Sequence, residues 1–99
     1  MDIRIDVKFK FEESEYHADI LIIKLSTSPL KFLYVVHLFD DWLISQFSWR
    51  YVFKTEEHQF LPITAKSDRE ALLIECVQHA IIAHKYHPPL PTKHFTCSL

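Results

Sequence analysis

Seven histidines and two cysteines are the residues of this 99-residue chain with the widest chemical repertoire. His84-x-x-His87 followed by His94-x-x-Cys97 offers four zinc ligands of the right types, two at the end of a predicted helix and two on the tail beyond it. The spacing matches no established zinc finger. His84 also projects onto the apolar side of its helix, where a buried, hydrogen-bonded imidazole is the usual outcome. Zinc held by His84, His87, His94 and Cys97 is therefore the alternative reading, and no cofactor is the leading one. For nucleophilic catalysis, Cys76 and His79 are three apart on a helix, but Cys76 faces inward, and a buried thiol is normally inert packing.

Paired carboxylates are the next candidates. Asp40 and Asp41 are adjacent, and Glu12, Glu13, Glu15 and Asp19 would meet Glu56 and Glu57 if two turns lay close together. Solvated acidic loops are the commoner meaning of such residues, and nothing in the sequence supplies a pocket to shift their pKa. Aromatic residues sit among basic ones at Trp49-Arg50-Tyr51 and Lys8-Phe9-Lys10-Phe11, a chemistry that sheet-surface RNA binders use to stack bases. Strict alternation sends the aromatics and the bases to opposite faces, so the aromatics are expected in the core. The chain has no glycine. Dinucleotide folds, P-loops and nucleophile elbows all need a residue without a side chain where backbone meets phosphate or turns sharply, so those classes are excluded.

Composition narrows the field further. Eleven Lys and Arg against thirteen Asp and Glu give a net charge of -2, the wrong sign for affinity built on releasing phosphate counterions. Nucleic acid is thereby demoted to part of the alternative reading. Two cysteines are too few for a disulfide framework. The opening segment, residues 1–12, alternates charged with apolar residues, unlike a signal peptide, and no apolar run reaches the roughly 18 residues of a spanning helix. A cytoplasmic protein with no membrane span is expected. The mean hydropathy of -0.01 is high for so small a domain, which leaves apolar side chains in need of external cover.

The elements follow from periodicity. Ile3, Ile5, Val7, Phe9 and Phe11 alternate with charged residues, predicting a half-buried strand over 2–12. Tyr16 to Leu25 is its return strand, and the missing glycine argues for a longer, Glu-rich turn between them. In residues 29–48, Lys31, Tyr34, His37, Asp41, Ser45 and Ser48 recur at three or four positions opposite Phe32, Val35, Val36, Phe39, Trp42, Leu43 and Phe47, which predicts a helix. Ser28-Pro29 would supply its N-cap and first residue, while Asp40 breaks the pattern. Trp49, Tyr51 and Phe53 begin a second hairpin that returns over 58–64, with Pro62 at an edge or bulge. Ser67 and Glu70 form a capping box for a helix from Asp68 to Tyr86, with Leu72, Leu73, Cys76, Val77, Ala80, Ile81 and His84 on its inner face. His87-Pro88-Pro89-Leu90-Pro91 then fixes an extended backbone, the ordinary stop after a helix and a less common ligand for aromatic grooves.

These elements predict an α+β fold, a four-stranded, mostly antiparallel sheet of two hairpins with two helices on one face, in the order ββαββα. Residues 1–87 form the domain and 88–99 a proline-containing tail. The two hairpins share Phe-Lys and Glu-Glu pairs at residues 9–13 and 53–57, too short a match to establish a duplication. The expected function is contact with another protein, as an inhibitor, immunity protein, adaptor or regulator rather than an enzyme. A homodimer through the same surface is equally consistent. The contact surface would combine the second sheet face with the exposed side of the first helix, through Leu30, Tyr34, His37, Leu38 and Asp41, rimmed by the acidic turns.

Overall fold

The computed structural model describes residues 2–57 and 59–84. Five strands form one antiparallel meander: β1 (Asp2–Phe11), β2 (Ser14–Thr27), β3 (Leu30–Leu38), β4 (Arg50–Glu56) and β5 (Gln59–Phe60), lying side by side in chain order. A short helix, α1 (Asp41–Gln46), interrupts the passage from β3 to β4, and a longer one, α2 (Asp68–Ala83), follows β5. The α+β class and the antiparallel pairing agree with the expectation. The count and order differ, because five strands in the order βββαββα replace four in ββαββα.

The difference lies in residues 29–48. Leu30–Leu38 is a strand paired with β2 on one side and β4 on the other, so a long first helix does not exist. Phe32, Tyr34, Val36 and Leu38 turn inward while Lys31, Leu33, Val35 and His37 turn outward. With apolar residues on both faces, a central strand loses the alternation that marks a half-buried one, and a 3.6-residue period can then be fitted to it by chance. Ser28-Pro29 caps nothing. It forms the β2–β3 connection, and its peptide bond is cis. The helix that does form starts at Asp40, whose carboxylate accepts from the Leu43 amide at 3.1 Å, which explains the residue that broke the predicted pattern.

The core lies on one sheet face. Ile5, Val7, Phe9 and Phe11 of β1, Ala18, Ile20 and Ile22 of β2, the inward residues of β3, and Tyr51 and Phe53 of β4 pack with Leu43 of α1 and Leu73, Ile74, Val77 and Ile81 of α2. Ile74 takes the inner place predicted for Leu72, which is exposed. The α2 cap is a variant of the predicted box. The Glu70 amide donates to Ser67 Oγ at 3.1 Å, whereas the Glu70 carboxylate reaches back one residue further, to the Lys66 amide at 2.7 Å. The first hairpin turns in two residues, Glu12 and Glu13, both at positive φ (51° and 69°), a tighter turn than a glycine-free sequence led us to expect. The return strand predicted over 58–64 is only Gln59–Phe60 among the described residues, at the sheet edge, and Pro62 lies beyond it rather than within a strand. Among the described residues, no helix is long and apolar enough to cross a membrane.

Candidate interaction surface

Both helices contribute to the inner core, so the sheet's other face carries no layer of secondary structure among the described residues. Strand register arranges that outer face in rows. Arg4, Leu21, Val35 and Val52 lie side by side across β1 to β4, and so do Asp2, Ile23, Leu33 and Lys54. A third row, Asp6, Asp19, His37 and Arg50, borders them. The centre of the face is aliphatic on β2 and β3, the β1 margin carries Asp2, Arg4, Asp6, Lys8 and Lys10, and the β4 margin carries Arg50, Lys54 and Glu56. Leu21, Ile23 and Leu33 are half-buried, Val35 is buried among its neighbours, and Val52 is exposed. Beyond β4 the apolar surface continues into Leu61 and Ile63, which with Val52, Lys54 and Pro62 line a shallow cleft of about 210 Å³.

Two ion pairs and a histidine–carboxylate contact border the face. Arg4 lies 3.5 Å from Asp19, His17 Nδ1 lies 3.3 Å from Asp6, and Lys31 lies 3.7 Å from Glu56. At the β3–β4 end the His37 and Trp49 rings stack at 5.5 Å and 4°, leaving an exposed indole beside the face.

A second aromatic group occupies the end of the molecule near the β1–β2 turn. The Arg69 guanidinium donates to both Glu12 carboxylate oxygens, at 2.8 and 2.9 Å, and lies 5.8 Å from the Trp42 ring and 5.3 Å from the Phe47 ring. The Glu12 carboxyl is held below its ordinary range by this hydrogen bond, and Arg69 is raised by the same contact. Trp42 stacks on Tyr16 at 6.4 Å. Arg69 thus ties α2 to α1 and the first turn.

The predicted contact residues do not share a surface. Tyr34 and Leu38 are core residues, Leu30 packs partly against the core, His37 belongs to the outer face, and Asp41 is exposed on the first turn of α1. The helical face that was to unite them is replaced by β3, whose successive residues point to opposite sides. The second sheet face, named alongside them, is the one with no element over it among the described residues. Of the alternative metal set, His84 lies half-buried at the end of α2, beside Asp6, Val7, Lys8, Ala80 and Ala83 around an open cleft of about 380 Å³. His87, His94 and Cys97 lie outside the described residues. Among the described residues no group of three or more His, Cys, Asp or Glu side chains is placed to hold a metal.

Cys76 is half-buried, its thiol pushed up by burial and then by Glu75, while His79 is exposed. Glu12 and Glu13 close one end of the sheet and Glu56 and Glu57 the other, so the acidic turns do not converge. Phe9, Phe11 and Tyr51 point into the core and Lys8, Lys10 and Arg50 outward, as alternation predicts, whereas Trp49, expected in the core, is exposed next to Arg50.

Sequence reasoning missed one buried polar cluster. Tyr51 donates its hydroxyl to Glu70 at 2.6 Å in the core, so Glu70 holds both β4 and the start of α2. That cluster lowers the Glu70 carboxyl, through the Tyr51 hydroxyl first and the Lys66 amide second, and it raises Tyr51, through burial first. Glu70 had been assigned only to the helix cap, and β4–α2 proximity has no local signal in the sequence. In comparisons with known proteins, the chain shows no significant match to a family model, a curated sequence or a solved structure.

Proposed function

We propose that this chain is a small cytoplasmic protein-binding module, of the inhibitor, immunity, adaptor or regulator type, that acts by contact rather than catalysis. The observation that carries the reading is the outer face of the sheet, with Leu21, Ile23, Leu33, Val35 and Val52 contiguous across three strands and no helix or strand packed over them among the described residues. Five apolar side chains in one block, bordered by ion pairs and an exposed tryptophan, have the composition of an interface centre with a polar rim. Fully covering a Leu or Val side chain is worth about 1.5–3 kcal/mol, so even partial cover of this block favours association. The net charge of -2 supports protein rather than nucleic acid as the partner.

The test is affinity capture from the native source with two baits, wild type and Leu33→Lys, read by quantitative mass spectrometry. The reading expects a defined set of proteins held by the wild type and lost from the variant, whose core is untouched. Equal recovery with both baits, or recovery only of nucleic acid that salt removes, would refute it.

A further inference from the structure

β1 lies at the edge of the sheet and is paired on one side only, by β2. The β1–β2 turn has two residues, so Phe11 and Ser14 close the hairpin as a hydrogen-bonded pair, and the bonding alternates from there. Phe11, Phe9, Val7, Ile5 and Ile3 therefore give their N–H and C=O groups to β2, while Lys10, Lys8, Asp6, Arg4 and Asp2 turn theirs to the open edge. Among the described residues no backbone group takes them up. A row of this kind is a template for another extended chain unless something covers it.

α2 packs against β1 without closing that edge. The open cleft of about 380 Å³ is bordered by Asp6, Val7 and Lys8 on the strand and by Ala80, Ala83 and His84 on the helix. Asp6 and Lys8 point to the outer face and Val7 to the inner one, so a space that touches all three lies at the edge of the strand. Two alanines on its helix wall leave room for the side chain of a strand laid beside Val7. Charge along the same stretch is uneven. Arg4 has Asp19 and Asp6 has His17, whereas Lys8 and Lys10 are exposed and have no ion pair among the described residues, standing opposite His17 and Glu15 of β2.

We propose that the edge of β1 takes an extended peptide segment of another protein as an added strand, with an apolar side chain in the cleft and acidic side chains beside Lys8 and Lys10. This site is separate from the outer face and does not rest on it. Laid antiparallel, a segment Val-Glu-Val-Glu-Val sets its Glu residues opposite Lys10 and Lys8, where each exchanges both main-chain hydrogen bonds with β1. Its Val residues then lie on the inner side opposite Phe11, Phe9 and Val7, the last of them at the cleft. A second β1 does not supply this chemistry. Its acids Asp2 and Asp6 are four residues apart, so no register sets one opposite each lysine. Main-chain bonds give the affinity, and the cleft and the two lysines give the selection.

The probe is a fluorescent peptide, Thr-Ser-Val-Glu-Val-Glu-Val-Ser-Thr, with two controls: Lys in place of both Glu, and N-methylation of both Glu. Anisotropy gives the affinity, and amide hydrogen exchange read by NMR gives the location. The expected result is new protection of the Lys8 and Lys10 amides and an affinity about tenfold above that of either control. Lys8→Glu with Lys10→Glu should invert the preference toward the Lys peptide, and Ala83→Phe, which fills the cleft from an exposed position, should weaken the probe about tenfold, circular dichroism confirming that both variants are folded. Leu33→Lys should leave the probe's affinity unchanged, which separates this site from the outer face. No protection of the Lys8 and Lys10 amides at about 1 mM probe, equal binding of the N-methylated peptide, or loss of binding in Leu33→Lys overturns the proposal. Protection of those amides that grows with protein concentration in the absence of peptide assigns the edge to a second copy and overturns it equally.

Discussion

Replacing Tyr51 by Phe isolates the buried polar contact that joins β4 to α2. The ring remains packed against Phe53, 6.4 Å away, and only the hydroxyl is removed. Glu70 then loses its 2.6 Å donor and keeps the Lys66 amide at 2.7 Å. Hydrogen bonds to charged groups contribute about 1.5–3 kcal/mol, and the carboxylate left behind is buried, so Tyr51→Phe should cost about 2 kcal/mol. In a domain of this size that is a drop in Tm of about 8–16 °C. The effect carries a pH signature. The folded Glu70 carboxyl titrates below its unfolded value, so the unfolded chain binds more protons between the two, and stability rises with pH across that window. The contribution is complete above the ordinary glutamate range and disappears as pH falls through the lowered folded value. Removing the largest cause of that lowering narrows the window. Denaturant melts at neutral pH and at a series of acidic values should show the full difference between wild type and Tyr51→Phe near pH 7, shrinking on acidification. Equal stability at neutral pH, or a difference that does not change with pH, would refute the assignment of Glu70 as an ionised anchor.

Other substitutions test separate parts of the fold. Thr55 Oγ1 is buried without a hydrogen-bond partner among the described residues, so Thr55→Val should raise stability by about 1 kcal/mol in a denaturant melt. Glu13 sits at φ 69°, where an L-residue is disfavoured by roughly 1–2 kcal/mol. Because a glycine also has more freedom to lose on folding, Glu13→Gly should stabilise by about 0.5–1 kcal/mol, while Glu13→Val should destabilise. Asp40→Ala removes the α1 cap and should cost about 1 kcal/mol, with Asp40→Asn recovering most of it, as measured by thermal unfolding.

How much was legible in the sequence depended on how far each signal was local. β1 and β4 alternate, and their extent could be read from Asp2 to Glu12 and from Trp49 to Lys54, although β4 runs on through Thr55 and Glu56, which read as turn. Ser67 announced α2, because a cap is a contact between residues three apart. β3 was misread because Leu33 and Val35 face outward in a central strand, and the aromatic and β-branched composition that argued for a strand was outweighed by a coincidental helical period. The proposed contact residues Tyr34 and Leu38 failed with that assignment, since their common surface existed only on a helix. The outer face itself left a trace. On β2 the outward positions change from Glu15, His17 and Asp19 to Leu21 and Ile23, a shift from solvated to apolar within one strand. Matching it to Leu33, Val35 and Val52 required the cross-strand register, which a single sequence does not contain. The Tyr51–Glu70 contact was invisible for the same reason.

Solvent access to the outer face in solution tests the central claim most directly. With leucine and valine methyls labelled, a soluble paramagnetic chelate reports by NMR which methyls water reaches. Leu72, exposed on α2, serves as the reference. If the face is covered in the associated state, the Leu21, Leu33 and Val52 methyls will be shielded from the chelate as protein concentration rises or once the captured protein is added, while Leu72 stays fully broadened. If all four methyls are broadened as strongly under every one of those conditions, the outer face is not a docking surface.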